Sequence, residues 1–484
     1  MARSNNATTE RDWWSAEFAN RAPIQITNPS RLPRVNEPVV ATVDFGPGTH
    51  PNSARLVTAD GQEVPSQLFD ERWQDGLVVS AGIAFLANVA GDQATYHVYF
   101  DAGNRGLPTY PGVVQLAPHL ADGVKRLDTG YYILELCRGT ADGTAAGKWG
   151  IRYFEAKLQG RNLINGCANA IGGFYGPFFT PANGLINPPE HTIVQVDTEV
   201  EGPVYCRYRF RGDIPPGLDP NLRNKHFEII WQFFANSPWF IRTYNVDPYH
   251  TVVDQMDVEN KITVGDEFES GRDQVVFSRF GAYGETRYRT GDPYARILAD
   301  GVARLLATPA ADASPGLRRF KDAVGDDINA VSWDYFWRLF SVKEGILSDD
   351  EIRAHVQEIL AEAHTAVHEG PRSRDIHSGG LIDVSQEPDE TIFPLDASKT
   401  VELNPQTGYA MVWRTSSSVA RYQIVQRPAS GWVNWGTNGE NEYPELPIGS
   451  TIHTSYGPFD QWEDEADRME MPLQPSVGAI VQRP

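Results

Sequence analysis

Short segments in which apolar and polar residues alternate recur through the first hundred residues and predict β-strands. Residues 24–26 alternate, and residues 38–45 are rich in β-branched side chains, which suit a pleated and half-buried surface. Between two further segments of this kind stands Asp60-Gly61, a hairpin signal because both residues tolerate positive φ. Several strands at this spacing predict an N-terminal β-sandwich over residues 1–110.

A longer strand pair, residues 191–211, predicts a large antiparallel sheet in the central region, residues 111–300. In its second half, apolar side chains alternate with Arg207, Arg209 and Arg211, which form a basic stripe. One interpretation is a platform for carboxylated substrates, since guanidinium groups match carboxylates in shape. The other is cross-strand pairing with acidic residues of the partner strand, which we favour because such residues lie at hairpin distance.

The last region, residues 301–484, combines helical and β patterns. Residues 348–370 begin with a capping box and carry apolar side chains at helical spacing, so we expect an amphipathic helix there. Residues 332–342 predict a second helix or a buried aromatic cluster. The expected fold is mainly β. An N-terminal β-sandwich is followed by a large antiparallel super-β-sandwich, which residues 301–484 complete and which carries a small helical insertion.

The charge balance narrows the range of partners. The 484 residues include 63 acidic and 42 basic side chains, a formal net charge of −21, so we expect no nucleic-acid partner. No stretch approaches the roughly 18 unbroken apolar residues of a membrane span, and the N-terminus lacks the apolar core of a secretion signal. We therefore expect a cytoplasmic protein without a membrane partner. The three cysteines are widely spaced and predict small core residues.

No sequence motif typical of nucleotide-binding proteins, serine hydrolases or zinc proteases is present. The most unusual stretch is residues 161–191, which lacks periodicity and mixes amides, aromatic rings, glycine and proline. We expect this long loop to line a cleft, and an Ω-loop packed by its own side chains is the open alternative. Tyr175, Asn183 and Asn187 in the loop are candidate substrate-binding residues, because rings stack on sugars and amides bind hydroxyl groups. Trp435, in a later segment rich in Trp and Asn, is a further candidate.

Ionisable residues stand at two strand ends of the predicted central sheet. Glu190 and His191 precede the long hairpin, whereas Tyr244, Asp247 and His250 follow an aromatic strand. If both ends meet at one rim of the sheet, they supply general acids and bases with tunable pKa values. Two imidazoles and two carboxylates without close spacing are a weak metal signal. We therefore assign no metal ligand, leave the cofactor unknown and keep a divalent metal ion as an open alternative.

Two segments resemble proteins that degrade glycans. Residues 55–67 resemble the small N-terminal β-sandwich modules of bacterial glycan-degrading proteins, including exo-acting rhamnogalacturonan lyases. Residues 234–242 are similar to strand pairs in the super-β-sandwich of polysaccharide lyases and some glycoside hydrolases. The resemblance implies a carbohydrate-active enzyme whose substrate, in a protein without a secretion signal, is a small imported sugar or glycoside. No catalytic motif of these families is matched residue by residue, so no active site is carried over.

We therefore expect an enzyme that cleaves a glycosidic bond in a small oligosaccharide or glycoside by β-elimination. This reaction needs a base that removes the proton α to a carboxylate, and His191, His250 and Tyr244 are the candidates. It also needs a group that stabilises the enolate, and Arg242 and Asn187 are the candidates.

Two other functions stay open on the sequence alone. A glycoside hydrolase would use Glu190 and Asp247 as its carboxylate pair. The third possibility is a non-catalytic protein that binds sugars or assembles with copies of itself, since a symmetric homo-oligomer can protect exposed sheet edges.

Overall fold

The computed structural model shows a chain built mainly of antiparallel β-sheets, which confirms the predicted fold class. It describes the following residues: 13–30, 32–110, 115–117, 124–139, 149–164, 171–176, 193–213, 224–253, 256–268, 279–283, 287–288, 304, 307–309, 311–313, 315, 318, 382–383, 390–427, 430–435, 446–459 and 462–483. The helix predicted over residues 348–370 and the helix or aromatic cluster predicted over residues 332–342 lie outside the described residues. In the part of the chain that the structure describes, no helix is both long and apolar enough to cross a membrane. The cytoplasmic location stays a prediction.

The N-terminal part forms a sandwich of two sheets, here called the first sandwich. Its strands β1 to β7 are Asn20–Thr27, Arg34–Thr49, Arg55–Thr58, Glu63–Val64, Ser66–Gln74, Leu77–Val89 and Gln93–Phe100. One sheet has the order β1-β7-β3-β4 and the other the order β2-β6-β5. Alternate residues of β2, such as Val39, Ala41 and Val43, are buried, because side chains of a strand point to opposite faces. They pack against Ile24 and Val98 of the facing sheet and form one core.

The next strands form a much larger sheet that closes on itself, here called the barrel. Strands β8 to β17 are Gln115–Ala117, Val124–Asp128, Tyr132–Arg138, Trp149–Ala156, Arg161–Asn162, Ile171–Gly176, Gln195–Val200, Tyr205–Asp213, His226–Phe234 and Trp239–Val246. Strands β18 to β28 are His250–Val253, Met256–Glu259, Lys261–Phe268, Arg279–Tyr283, Arg287–Tyr288, Ile382–Asp383, Glu390–Asn404, Tyr409–Arg427, Ser430–Trp435, Leu446–Pro447 and Thr451–Gly457. Strands β18 and β19 pair with each other as a separate two-stranded sheet.

The interior of the barrel is aromatic. Its sheet runs through β14, β15, β16, β17, β28, β25, β26, β20, β13, β11, β10 and β9 by antiparallel pairing. The largest fully buried side chains include Trp149, Trp231, Trp413 and Tyr208. The two aromatic strands predicted from the sequence, now β16 and β17, are adjacent in this sheet, and their inward aromatic side chains bury large apolar areas.

The first sandwich packs on the outside of the barrel through β5 and β15. The Gln67 side chain accepts hydrogen bonds from the backbone amides of Val204 and Tyr205, both at 3.0 Å, and donates one to the Tyr205 carbonyl. The ring of Phe69 lies 4.9 Å from that of Tyr205, centroid to centroid. Apolar contacts and satisfied backbone groups therefore join the two units.

The C-terminal residues return to the first sandwich. Helix α1 (Trp462–Glu470) follows the last barrel strand, and the short strands β29 (Gln474–Val477) and β30 (Val481–Gln482) come after it. Both strands pair with β1. Strands from the two ends of the chain thus share one sheet, which the sequence analysis did not predict.

Candidate functional site

Three strand ends meet at one edge of the barrel and bring ionisable side chains together. Strand β15 ends at Asp213, which is the register partner of His226, the first residue of β16. Strand β17 ends at Val246, the partner of Phe227, so Asp247 follows beside His226. We call Asp213, His226 and Asp247 the rim cluster. The antiparallel register of β15, β16 and β17 places these residues at one edge although they are distant in sequence.

The rim cluster is held by direct hydrogen bonds. The Nδ1 atom of His226 lies 2.7 Å from Oδ1 of Asp213, and the two side chains are 64% and 82% exposed. The His226 backbone amide donates to Oδ2 of Asp247 at 2.8 Å, and the Asp247 amide donates to the His226 carbonyl at 2.9 Å. Because a carboxylate only accepts, Nδ1 carries the hydrogen and the neutral ring presents Nε2 as its proton acceptor.

The chain after Asp247 is fixed by backbone contacts. Lys225 donates to the carbonyl of Pro248 at 2.6 Å, and the Tyr249 hydroxyl donates to the carbonyl of Lys261. His250, an exposed residue, then opens β18 opposite Glu259. Asp247 and His250, two of the predicted catalytic residues, are thus three positions apart on one segment that leaves this edge.

Two other predicted site residues, Arg242 and Tyr244, point into the barrel instead. Arg242 and Asp266 are both fully buried and form an ion pair with Nη1 to Oδ1 at 2.9 Å. Nη1 of Arg242 also donates to the Tyr244 hydroxyl at 3.0 Å, and Nη2 donates to Thr454 Oγ1 at 3.2 Å. The guanidinium carbon lies 4.5 Å from the ring centroid of Trp413, a cation–π contact.

Burial shifts the pKa values of two members of this interior group. It raises the pKa of Asp266, which the Arg242 guanidinium opposes, and it raises the pKa of the Tyr244 hydroxyl well above its usual range. A phenolate at Tyr244 is therefore disfavoured. Arg242 and Tyr244 are equipped to hold barrel strands together rather than to contact a solute at the rim.

Residues 161–191, which the sequence analysis predicted to be one long loop, contain strands β12 and β13, so that prediction is wrong for residues 161–162 and 171–176. The described part of β13 carries a bulge. Ile171 pairs with Asp266, and the register shifts before Phe174 pairs with Gly265. The Gly172 amide donates to Oδ1 of Asp266 at 2.6 Å, so the buried ion pair also holds this bulge.

The backbones of two predicted sugar-binding residues lie in one row across the sheet. Tyr175 of β13 and Trp435 of β26 are both register partners of Val264 in β20, one on each side of that strand. The structure thus brings together two residues that are far apart in the sequence. Asn183, Asn187, Glu190 and His191 lie outside the described residues, so the predicted meeting of His191 with His250 stays a prediction.

The basic stripe is paired with carboxylates, as the favoured interpretation predicted. Arg207 Nε lies 2.7 Å from Glu199, and its two Nη atoms lie 3.0 and 2.7 Å from the oxygens of Asp70 in the first sandwich. Arg209 binds Glu199 and lies 2.7 Å from Glu228. These pairs occupy the guanidinium groups of Arg207 and Arg209, and the pair of Arg207 with Asp70 links the barrel to the first sandwich.

Sequence reasoning missed Asp213 and His226. The available signal was their position, since Asp213 follows the alternating stretch that became β15 and His226 precedes the aromatic run that became β16. Only the register of the two strands shows that they face each other. Among the described residues, no three His, Cys, Asp or Glu side chains are grouped closely enough to hold a metal ion.

No protein-family model matches the sequence, and no curated protein matches it. Among solved structures, an alpha-mannosidase from Enterococcus faecalis V583 is similar, with 9% identity and a TM-score of 0.48 over 96% of this chain. A protein in the glycosyl hydrolase family 38 from Enterococcus faecalis is similar with 8% identity and a TM-score of 0.46 over 95% of this chain. This chain spans 46% and 47% of those two proteins. The resemblance to polysaccharide lyases stays a prediction.

Proposed function

We propose that this protein is a carbohydrate-active enzyme that cleaves a glycosidic bond by β-elimination, with His226 as the general base. The observation that supports this proposal is the 2.7 Å contact between His226 Nδ1 and Asp213 Oδ1 at an exposed strand edge. A carboxylate on Nδ1 orients the imidazole and stabilises the imidazolium that forms when Nε2 takes a proton. Oδ2 of Asp247 accepts a hydrogen bond from the His226 backbone amide and so fixes the end of β16 that carries the imidazole ring.

The proposed reaction uses a sugar that carries a carboxylate. His226 Nε2 removes the proton on the carbon α to that carboxylate, and the electron pair of the C–H bond forms a C=C bond. The C–O bond to the leaving sugar breaks, and the leaving oxygen takes up a proton from an acid at the site or from water. His250 and His191, which the sequence analysis named as base candidates, are proposed here as sources of that proton. No enolate-stabilising residue is assigned among the described side chains.

The test is a turnover assay with small uronate-containing oligosaccharides, followed through the ultraviolet absorbance of the new C=C bond. We expect His226→Gln to lower kcat by about 100-fold to 10,000-fold, the usual contribution of a general base. Asp213→Asn should lower it less than His226→Gln, because the amide can still hold the ring in place but lacks the charge that stabilises the imidazolium formed in the reaction. His50→Gln, in the first sandwich, is the matched control.

Three outcomes of the turnover assay would each refute a part of the proposal. Turnover without absorbance would refute β-elimination, and unchanged turnover in His226→Gln would refute His226 as the base. No turnover by the unsubstituted protein on uronates or neutral glycosides would refute an enzymatic function. A parallel assay with a chelator tests the divalent metal ion, and loss of turnover that added metal restores would establish a metal requirement.

Hydrolysis is a second candidate, favoured by one specific observation. Asp213 and Asp247 approach His226 from its side chain and from its backbone, so two carboxylates flank the same strand end. A hydrolase would use one as a general acid and the other as a base or nucleophile. Reducing sugar released from a neutral glycoside without ultraviolet absorbance would support this reaction, and the anomeric configuration of the first product would identify the carboxylate roles.

A further inference from the structure

Helix α1 packs on the outer face of the barrel. Its Ala466 and Met469 are buried against a cluster that includes Trp239 of β17 and Val412 of β25. Glu465 of the helix is 3% exposed and accepts hydrogen bonds from the Trp239 indole and from Ser455 Oγ, the latter at 2.7 Å. The helix is thus bound to the barrel by apolar packing and by a buried carboxylate that is satisfied.

The other end of α1 is held by the first sandwich. Arg34, which is fully buried and paired with Glu37 at 2.7 Å, donates to the carbonyls of Arg468 and Met471 at 3.2 and 2.6 Å. A cation at the last carbonyls of a helix satisfies groups that lack partners and complements the helix dipole. Strands β29 and β30 then continue into the sheet of the first sandwich. The helix therefore connects the two units.

His453 of β28 lies under this helix. It is two positions before Ser455, so both side chains share the face that α1 covers. Its ring centroid lies 6.5 Å from that of Trp239 in an edge-on arrangement. The Nδ1 atom is buried and has no hydrogen-bond partner among the residues that the structure describes. Burial, reinforced by the charge of Arg414, lowers the pKa of His453 to about 4.

The charged groups on the elements packed at this site are mostly paired already, whereas Trp239 and Ile241 of β17, on the other side of His453, carry no charge. Arg414 of β25, its register partner, lies 3.1 Å from Glu470 of α1, and Lys399 of β24 lies 3.4 Å from Asp467. Glu465 is bound by Trp239, Ser455 and Arg468, while Arg34 and Glu37 of the first sandwich bind each other at the end of the helix. A protonated His453 would therefore meet a neighbouring cation in a site where the carboxylates have other partners.

We propose that α1 and the strands that follow it form an acid-sensitive clasp between the barrel and the first sandwich, and that protonation of His453 releases it. The clasp is closed while the imidazole is neutral. When the clasp opens, His453 becomes exposed and binds a proton at its ordinary affinity.

The sign of the pH dependence follows from the two protonation states. The pKa of His453 is about 4 in the closed form and 6.5 without burial, so the open form binds more protons between these values. The closed form is fully favoured above about pH 6.5 and loses stability as the pH falls toward 4. Uptake of one proton raises the opening equilibrium by up to about tenfold per pH unit. Burial raises the pKa of Glu37, so its protonation acts in the opposite direction.

Hydrogen exchange of the full chain tests the clasp. After correction for the intrinsic exchange rate, the opening equilibrium of peptides covering α1 and β29 should rise by about tenfold per unit between pH 6 and pH 4.5. Peptides from β16 and β17 should keep their protection over the same range. His453→Gln, which removes the proton site and keeps a polar side chain, should abolish the slope, whereas His50→Gln should retain it.

Three results would overturn the proposal. They are an unchanged slope in His453→Gln, a simultaneous loss of protection in β16 and β17, and a flat response of the unsubstituted protein. If His453→Gln does not fold, a carbon-13 titration of the histidine rings in the unsubstituted protein decides instead. It should show one ring with a pKa near 4. The absence of such a ring would rule out His453 as the group whose protonation opens the clasp.

Discussion

At the scale of single residues, the groups that pair with an arginine determine whether it stabilises the interior of the barrel or the contact between the barrel and the first sandwich. Arg242 shares the buried face of β17 with Phe240 and Tyr244 and points into the barrel, where Asp266 and Thr454 satisfy its Nη atoms. Arg207 points outward, where Asp70 and Glu199 bind it. Two residues of one type therefore stabilise the interior of one unit and the contact between two units.

The buried ion pair gives a first prediction. Arg242→Met should lower the free energy of unfolding of the barrel by about 3 to 5 kcal/mol, because Asp266 would remain buried and unpaired. Replacing both residues, Arg242→Met with Asp266→Leu, should cost markedly less, since no charge is then left uncompensated. Denaturant unfolding measures both variants, and an equal loss in the single and double variants would contradict the argument.

Two glycines provide a matched pair for a second prediction. Gly172 has a φ of +72°, and a Cβ atom there would lie 2.5 Å from the Trp231 ring. Gly160 has a φ of +66° but nothing within 4 Å of such an atom. Gly160→Ala should cost about 1 kcal/mol for the left-handed backbone alone, and Gly172→Ala about 1 to 3 kcal/mol more because of the overlap. Equal costs for the two variants would show that the bulge adapts freely.

At the scale of elements, α1 illustrates a helix that is stabilised by its surroundings. It has 9 residues, fewer than an isolated helix needs for stability in water. Ala466 and Met469 pack on the barrel, and Arg34 binds the carbonyls at its C-terminal end. Tertiary contacts therefore supply the stability of this element.

Arg34 allows a third prediction at this scale. Arg34→Lys keeps the charge next to Glu37 but presents a single ammonium group in place of the guanidinium fork, so it cannot reproduce both carbonyl contacts. We expect hydrogen exchange of the residues after α1 to become about tenfold faster, the equivalent of one lost hydrogen bond to a charged group, about 1.4 kcal/mol. Exchange in β16 should not change, and unchanged exchange after α1 would exclude the proposed capping role.

At the scale of the whole molecule, the chain ends tie the first sandwich to the rest. Residues 20–27 of β1 pair with β7 on one side and with β29 and β30 on the other. Leu473 joins the core of the same sandwich. The first sandwich is therefore complete only when the C-terminal segment is in place.

The dependence of the first sandwich on the C-terminal segment gives a fourth prediction, which truncation of the chain tests. Ending the chain after Met471 removes Leu473, β29 and β30, which exposes the edge of β1, so the first sandwich should unfold at lower denaturant concentration than the barrel. Ending it after Gly478 keeps β29 and should have a smaller effect. Limited proteolysis with assignment of the cleavage sites would measure both, and coincident unfolding of the two units in the shorter chain would contradict it.

The alternation of apolar and polar residues was sufficient to predict the mainly-β fold and the strands now seen as β16 and β17, because strand periodicity is a local property. The alternation also supported the prediction that the basic stripe pairs with acidic residues of the neighbouring strand, since hairpin partners are close in sequence. The helix α1 was missed although Trp462, Ala466 and Met469 have helical spacing, because so short a pattern competes with the β signals around it.

Contacts between distant segments account for the features that local sequence patterns did not predict. The partner of Arg242, the rim cluster at Asp213 and His226, and the return of β29 to β1 follow from strand register and chain topology, which no local pattern encodes. Local sequence determines whether a segment can be a strand and which of its faces is apolar. The pairing of strands, and thus which side chains meet, is determined by the packing of the whole chain.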